Sequence, residues 1–219
     1  MFTNPKDVIN NKWITHPDCT TPQHWLDNKF VSPNAIDFSL DELLLVKDTD
    51  TAYISNNKKL VKMKQLVSVH KITEDTETPF WELEGGKVYD GTSSMYVEVP
   101  EGYVCLPMFT RSTFARNGTF IMSGIFDSGY KGHIGFTIYT NGGPIDIEVG
   151  TRIGQIGFVK TEYAHLYDGG YSHEQGTHYA DPIIIQPAHV AIGERQIQHN
   201  PARTEQGMGP ILNTNSEFL

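Results

Sequence analysis

The sequence predicts an all-β fold, a barrel or sandwich with small helical additions, and three observations carry that expectation. Apolar residues alternate over short stretches, as in Ile36, Phe38 and Leu40 or Ile134, Phe136 and Ile138. Gly124, Gly129, Gly132, Gly142, Gly143 and Gly150 punctuate the segment from Phe109 to Lys160, as tight turns between strands require. Helical periodicity is scarce. With 219 residues and 38% hydrophobic content the chain can bury one sizeable core. Residues 1–192 are therefore expected to form one domain, with 47–79 a peripheral insertion and 193–219 a C-terminal arm or tail.

Taken in order, Asn4 to Trp13 suits a short helix, with Asn4 as cap and Pro5 in the first turn, where its missing N–H costs nothing. Polar and proline residues from His16 to Gln23 end it. His16 and His24, with Cys19 in the loop between them, fit no recurring zinc spacing, and the histidines read as solvated loop residues. In VSPNAIDFSLDELLLV the alternation describes a strand with one buried face, so Asp37 is either on the open face or a buried acid with a partner. Lys47 to Glu77 is charged and turn-rich, and Lys58, Lys59, Lys62 and Lys64 read as a solvated face. Phe80, Trp81 and Leu83 return the chain to the core. Ser94 to Met108 alternates around a turn at Pro100 to Gly102, and an apolar strand is expected at Ile183 to Ile185.

A formal charge of -9 argues against nonspecific nucleic-acid binding, which needs a basic face to displace counterions. A small anionic ligand remains compatible with it, because screening over roughly 8–10 Å makes a phosphate answer to its own pocket. The two cysteines, Cys19 and Cys105, lie far apart without a CxxC companion and are expected to be buried or half-buried thiols. No stretch approaches the length of a membrane span and no leader pattern opens the chain, so a cytoplasmic protein that does not engage a membrane is expected.

Chemistry concentrates between Phe109 and Lys160. Arg111 and Ser112, with Arg116 one turn further on, offer two guanidinium forks and a hydroxyl, a donor set suited to a polyphosphate; the bland alternative is surface ion pairs. Asp127 in GIFDSGY could take a proton from an attacking water, or simply cap the turn. Tyr130 could face a ring or fill the core. Gln155 interrupts the apolar run RIGQIGF and needs a hydrogen-bond partner or a ligand.

Five motifs in one order, NAID (34–37), RSTFAR (111–116), GIFDSGYKGHI (124–134), RIGQIGF (152–158) and GYSHEQGTHY (170–179), make the chain resemble the dUTPase and dCTP deaminase superfamily, with the deaminase branch suggested by its length and tail. The resemblance implies a distorted β-barrel of the β-clip type, a homotrimer with sites between subunits, and a deoxynucleoside triphosphate bound with Mg²⁺. Carried over residue by residue, Arg111, Ser112, Arg116 and Gln155 fall on phosphate contacts and Asp127 on the acid that deprotonates the attacking water. Tyr130 falls on the aromatic beside the deoxyribose, Asp37 on a first-motif acid with a structural or metal-linked role, and Tyr171, His178 and Tyr179 on the substrate-closing tail.

Two departures bear on the branch. Where deaminases of the family carry a glutamate, ten positions after the hairpin acid, this chain has Thr137, which cannot act as a base at neutral pH. Where their tail carries a lysine, it has His178, mostly neutral at pH 7. The resemblance thus implies first a hydrolase that converts dUTP, or a related pyrimidine nucleotide, to the monophosphate and pyrophosphate. A dCTP deaminase, bifunctional or not, and a catalytically inactive nucleotide-binding member are the alternatives.

Overall fold

The computed structural model describes residues 1–48, 51–54, 59–60, 62–70, 78–162, 165–167 and 184–185. The chain opens with α1 (Pro5–Asn10), β1 (Ile14–Thr15) and α2 (Pro22–Asp27). It continues through β2 (Ile36–Val46), β3 (Tyr53–Ile54), β4 (Lys59–Leu60), β5 (Lys64–Leu66) and β6 (Phe80–Leu83) to the long β7 (Val88–Glu98). The segment that follows comprises β8 (Tyr103–Thr110), α3 (Ser112–Arg116), β9 (Thr119–Met122), β10 (Lys131–Thr140), β11 (Ile145–Glu148) and β12 (Arg152–Lys160), and β13 (Ile184–Ile185) lies beyond.

As expected, the fold is all-β, a distorted and nearly closed barrel with short helical additions. β2 is its hinge. The first half of β2 pairs with β12, Asp37 opposite Gln155, and the second half pairs with β7, Leu44 opposite Asp90. From there the wall runs β7 to β10 to β9 on one side and β12 to β8 on the other. Side-chain and bridge contacts close the gap: Ile121 N–H donates to Thr110 Oγ1 at 2.6 Å, and Cys105 and Phe126 exchange backbone hydrogen bonds at 2.9 Å each. The interior is apolar, with Phe38, Met95, Val97, Ile134, Ile153 and Phe158 all essentially inaccessible.

α1 starts where its sequence signals place it, with Asn4 Oδ1 accepting from Lys6 N–H and Pro5 in the first turn. α2 replaces an expected loop. Thr21 caps it, its hydroxyl accepting from His24 N–H, and Pro22 occupies the first helical position, so this proline starts a helix rather than breaking one. Two further expectations fail here. His16 is buried rather than solvated, with Nε2 2.9 Å from Ser94 Oγ and Nδ1 accepting from Asp18 N–H at 3.1 Å. Strand β2 is buried on both faces, because Asp37, Ser39, Asp41 and Glu42 are covered as fully as the apolar residues between them.

Between β2 and β6, among the described residues, β3 pairs only with β4, whereas β5 joins β2 through Val46 and Lys64. Lys64 corrects the reading of a solvated lysine face: it is 5% exposed and forms an ion pair with Asp90 on β7. Both cysteines are free and buried, as expected. The expected strand at Ile183 to Ile185 appears as the two residues of β13, parallel to β5. The tail from Gly193 onward and the closing segment from Tyr171 to Tyr179 lie outside the described residues.

Candidate active site

Three strands bring polar groups together around Asp37. Its side chain is fully buried on β2, and such a carboxylate must be compensated by donors. Four side chains provide them. Oδ1 accepts from Ser32 Oγ at 3.0 Å and from Gln155 Nε2 at 2.7 Å, while Oδ2 accepts from Arg152 Nη1 at 3.0 Å and from Arg111 Nη1. The register explains the meeting, since Gln155 lies directly across from Asp37 on β12 and Arg111 leaves the end of β8. Arg111 N–H is fixed to Ile153 C=O at 3.0 Å and Arg152 Nη1 also donates to Lys29 C=O at 2.7 Å.

Two guanidiniums around one carboxylate leave a net positive charge, and the side chains of Arg111 and Arg152 are each 31% exposed. With five N–H donors apiece, they can hold Asp37 and still present donors outward. Of the residues singled out in the sequence, Asp37, Arg111 and Gln155 are thus brought together. Gln155 uses its amide donors on Asp37 and on Ser32 Oγ, 3.2 Å away, so it acts here as a brace within the cluster. The carboxylate of Asp37 accepts from four side-chain donors in this arrangement. Ser112 and Arg116 lie on the first and last positions of α3, both exposed.

Arg152 and Ser32 are contributors that the sequence reading passed over. The signal for Arg152 lay in RIGQIGF itself, three positions before Gln155, and in the need of a strand-borne Asp37 for a cation.

Asp127 belongs to a different wall. It opens a turn in the β9–β10 connection, its C=O accepting from Tyr130 N–H at 3.0 Å, and its side chain is exposed. Neighbouring bonds pin the turn firmly. Phe126 bridges to Cys105, Ser128 Oγ donates to Tyr103 C=O at 2.6 Å, and Gly129 N–H donates to Val99 C=O at 2.8 Å. Gly129, at φ 82°, supplies the left-handed backbone the turn needs. Tyr130 is 2% exposed, stacks on Phe126 with ring centroids 4.6 Å apart and donates to His133 C=O at 2.9 Å. Burial pushes its phenol well above the ordinary value.

Beside this turn opens a cavity of about 700 Å³. Its wall is mostly apolar, including Val88, Ile125, Phe136 and the ring of Tyr130, and it also carries Thr137, Asp90 and Lys64. A cavity of that size with few polar groups is the usual form of a small-molecule site. Among the described residues no three His, Cys, Asp or Glu side chains cluster as a metal site.

A protein-family model described as dCTP deaminase-like matches residues 20–161, which include Asp37, Arg111, Asp127, Thr137 and Gln155, and the chain belongs to that family. Among its relatives is a dUMP-forming dCTP deaminase of Methanococcus vannielii, 28% identical over 206 residues that cover 86% of this chain and 94% of the relative. A probable deoxyuridine 5'-triphosphate nucleotidohydrolase of Halobacterium salinarum is 25% identical over 145 residues, 66% of this chain and 84% of the relative. A solved 2'-deoxycytidine 5'-triphosphate deaminase from Agrobacterium tumefaciens superposes with a TM-score of 0.49 and 16% identity, over 70% of this chain and 45% of that one.

Proposed function

We propose that the chain is a nucleotide hydrolase that cleaves dUTP, or a related pyrimidine deoxynucleoside triphosphate, to the monophosphate and pyrophosphate. The observation that carries this reading is Asp127, an exposed carboxylate at the head of a turn held rigid from both sides. A base needs such fixed placement to take a proton from a water in line with the α-phosphate. Arg111 and Arg152, braced by Asp37 and Gln155, would draw the phosphates, with Arg116 and Ser112 on α3 completing the set. The Tyr130 ring, which forms part of the cavity wall, would lie beside the deoxyribose. Tyr171, His178 and Tyr179 would close over the triphosphate and exclude water.

The chain belongs in this reading to a homotrimer, in which Asp127 of one subunit faces the arginines of another. Mg²⁺ would be held by phosphate oxygens rather than by a carboxylate cluster, and would supply neutralisation of the charge that develops on them.

Replacing Asp127 with Asn tests the assignment. Nucleotide binding should persist while pyrophosphate release falls by at least about a hundredfold. Turnover near that of the unaltered protein would remove Asp127 from the reaction. A second reading, dCTP deamination, is favoured by the long match to the dUMP-forming deaminase. Release of ammonia from dCTP would establish it.

A further inference from the structure

A second cavity, of about 200 Å³, lies between the N-terminal segment and the barrel, walled by the turn from His16 to Asp18 and by Phe30, Ser39, Ser94 and Gly150. It opens where two strands part. The β2–β7 ladder ends at Leu40 opposite Ser93, and one step beyond stand Ser39 and Ser94, 4% and 6% exposed. Both hydroxyls have a hydrogen to give. Ser39 Oγ makes no hydrogen bond among the described residues. Ser94 Oγ lies 2.9 Å from His16 Nε2, and because Nδ1 accepts from Asp18 N–H, the proton of the neutral ring is on Nε2 and Ser94 is the acceptor. The hydrogen of Ser94 itself is therefore uncommitted. Side-chain acceptors stand instead at the rim, on the exposed Asp18 and Asn28. Buried donors of this kind call for an acceptor brought in from outside.

From this arrangement we infer that the cavity is a binding site for a small oxyanion, which accepts from Ser39 and Ser94 and is matched in charge by a proton taken up on His16. The site is separate from the hydrolase reading and does not depend on it. Its volume corresponds to roughly six or seven waters, room for a tetrahedral anion or a short carboxylate but not for a nucleotide. An anion suits the site better than a neutral acceptor for two reasons. The first is Arg152, which lies directly across the β2–β12 ladder from Ser39, so that its side chain leaves the same face of the sheet.

The second is that His16 can become a cation in place. Nε2–H keeps its bond to Ser94 while a proton from solvent enters at Nδ1, and Nδ1–H exchanges the Asp18 N–H for the Asp18 carboxylate, 4.0 Å away. Of the described residues, Asp18 alone exerts a charge effect on the ring. The other groups packed on it are neutral: Trp25 of α2 and Phe30, with centroids 6.3 and 5.0 Å from the imidazole, Ser94 of β7, and nearby Cys19, whose thiol burial pushes up to about 11. Without a ligand, burial keeps the imidazole neutral. An anion against Ser94 supplies the opposite charge that favours the protonated ring.

Calorimetry on the full chain tests this with sodium sulfate and, in parallel, sodium acetate. Neither anion titrates between about pH 6 and about pH 8, so any proton taken up belongs to the protein. The tighter-binding anion should bind at least about tenfold more strongly at about pH 6 than at about pH 8, and heats in two buffers of different ionisation enthalpy should show net proton uptake at about pH 6.5. His16→Gln should remove both effects. Ser39→Ala deletes a hydroxyl that bonds to no described residue, so the thermal midpoint should stay where it is while the anion binds at least about fivefold more weakly. Tighter sulfate assigns the site to tetrahedral oxyanions and tighter acetate to carboxylates, and either supports the inference.

Failure of both anions to bind overturns it. So does an affinity that is the same at both pH values, the behaviour of an anion held by arginines alone, whose guanidiniums stay charged throughout. Unchanged affinity in Ser39→Ala, or pH dependence that survives in His16→Gln, overturns it as well. Nucleotide turnover enters no arm of the experiment, so the hydrolase reading stands or falls separately.

Discussion

Truncating Asp37 to alanine would leave Arg111 and Arg152 facing one another with no anion between them and would strand the donors of Gln155 and Ser32. Removing one partner from a buried pair is far more damaging than exchanging the whole pair for apolar groups. Asp37→Ala should therefore lower stability by about 3 kcal/mol, read from the midpoint of urea unfolding. Asn at this position, which keeps one acceptor oxygen, should cost less. The sequence allows Asp37 to be an open-face residue or a buried acid with a partner, and only the cover over both faces of β2 selects the second. Lys64 was not legible. Its partner is 26 positions away, and a lysine among Lys58, Lys59 and Lys62 carries no local mark of burial. Such pairings are made by tertiary contact and leave no periodic trace.

At the scale of elements, the close approach of β7 and β10 depends on Gly91. A Cβ there would come 2.5 Å from the ring of Phe136, a residue that is 3% exposed and already tilted against Phe38 with centroids 5.3 Å apart. The ring would have to leave its packing on Phe38 and shift toward the cavity it lines, so Gly91→Ala should destabilise by about 2 kcal/mol through overpacking, measurable as a lowered thermal midpoint. The β-strand content, α1 with its Asn4 cap and the placement of the turns were legible, since period-two patterning and glycine turns are local properties. α2 was missed although Thr21 and Pro22 announce it. Proline weighed there as a breaker, when after a capping threonine it belongs to the first turn. Alternation along β2 describes a half-buried strand, whereas its polar residues are covered by neighbouring segments.

For the molecule as a whole, acid should loosen the fold through His16. Burial holds its imidazole below the ordinary value of 6.5, and the nearby Asp18 carboxylate opposes that shift without cancelling it. Nδ1 already accepts from Asp18 N–H, so protonation has to displace a hydrogen bond. Below 6.5 the unfolded chain takes up a proton that the folded one refuses. The contribution of His16 is therefore complete above that pH and is lost as the pH falls through the lower folded value. Thermal midpoints measured between about pH 7.5 and about pH 5 should fall with acidity, and His16→Gln should flatten that slope.

β2 also couples the two ends of the candidate site, with Asp37 near its start and Leu44, opposite Asp90, seven positions on. One inserted residue between them would lengthen the strand by about 3.3 Å and turn every later side chain to the opposite face. This segment is thus a spacer as well as a wall: a substitution along it acts at its own position, whereas its residue count sets the interval between the arginine cluster and the ion pair.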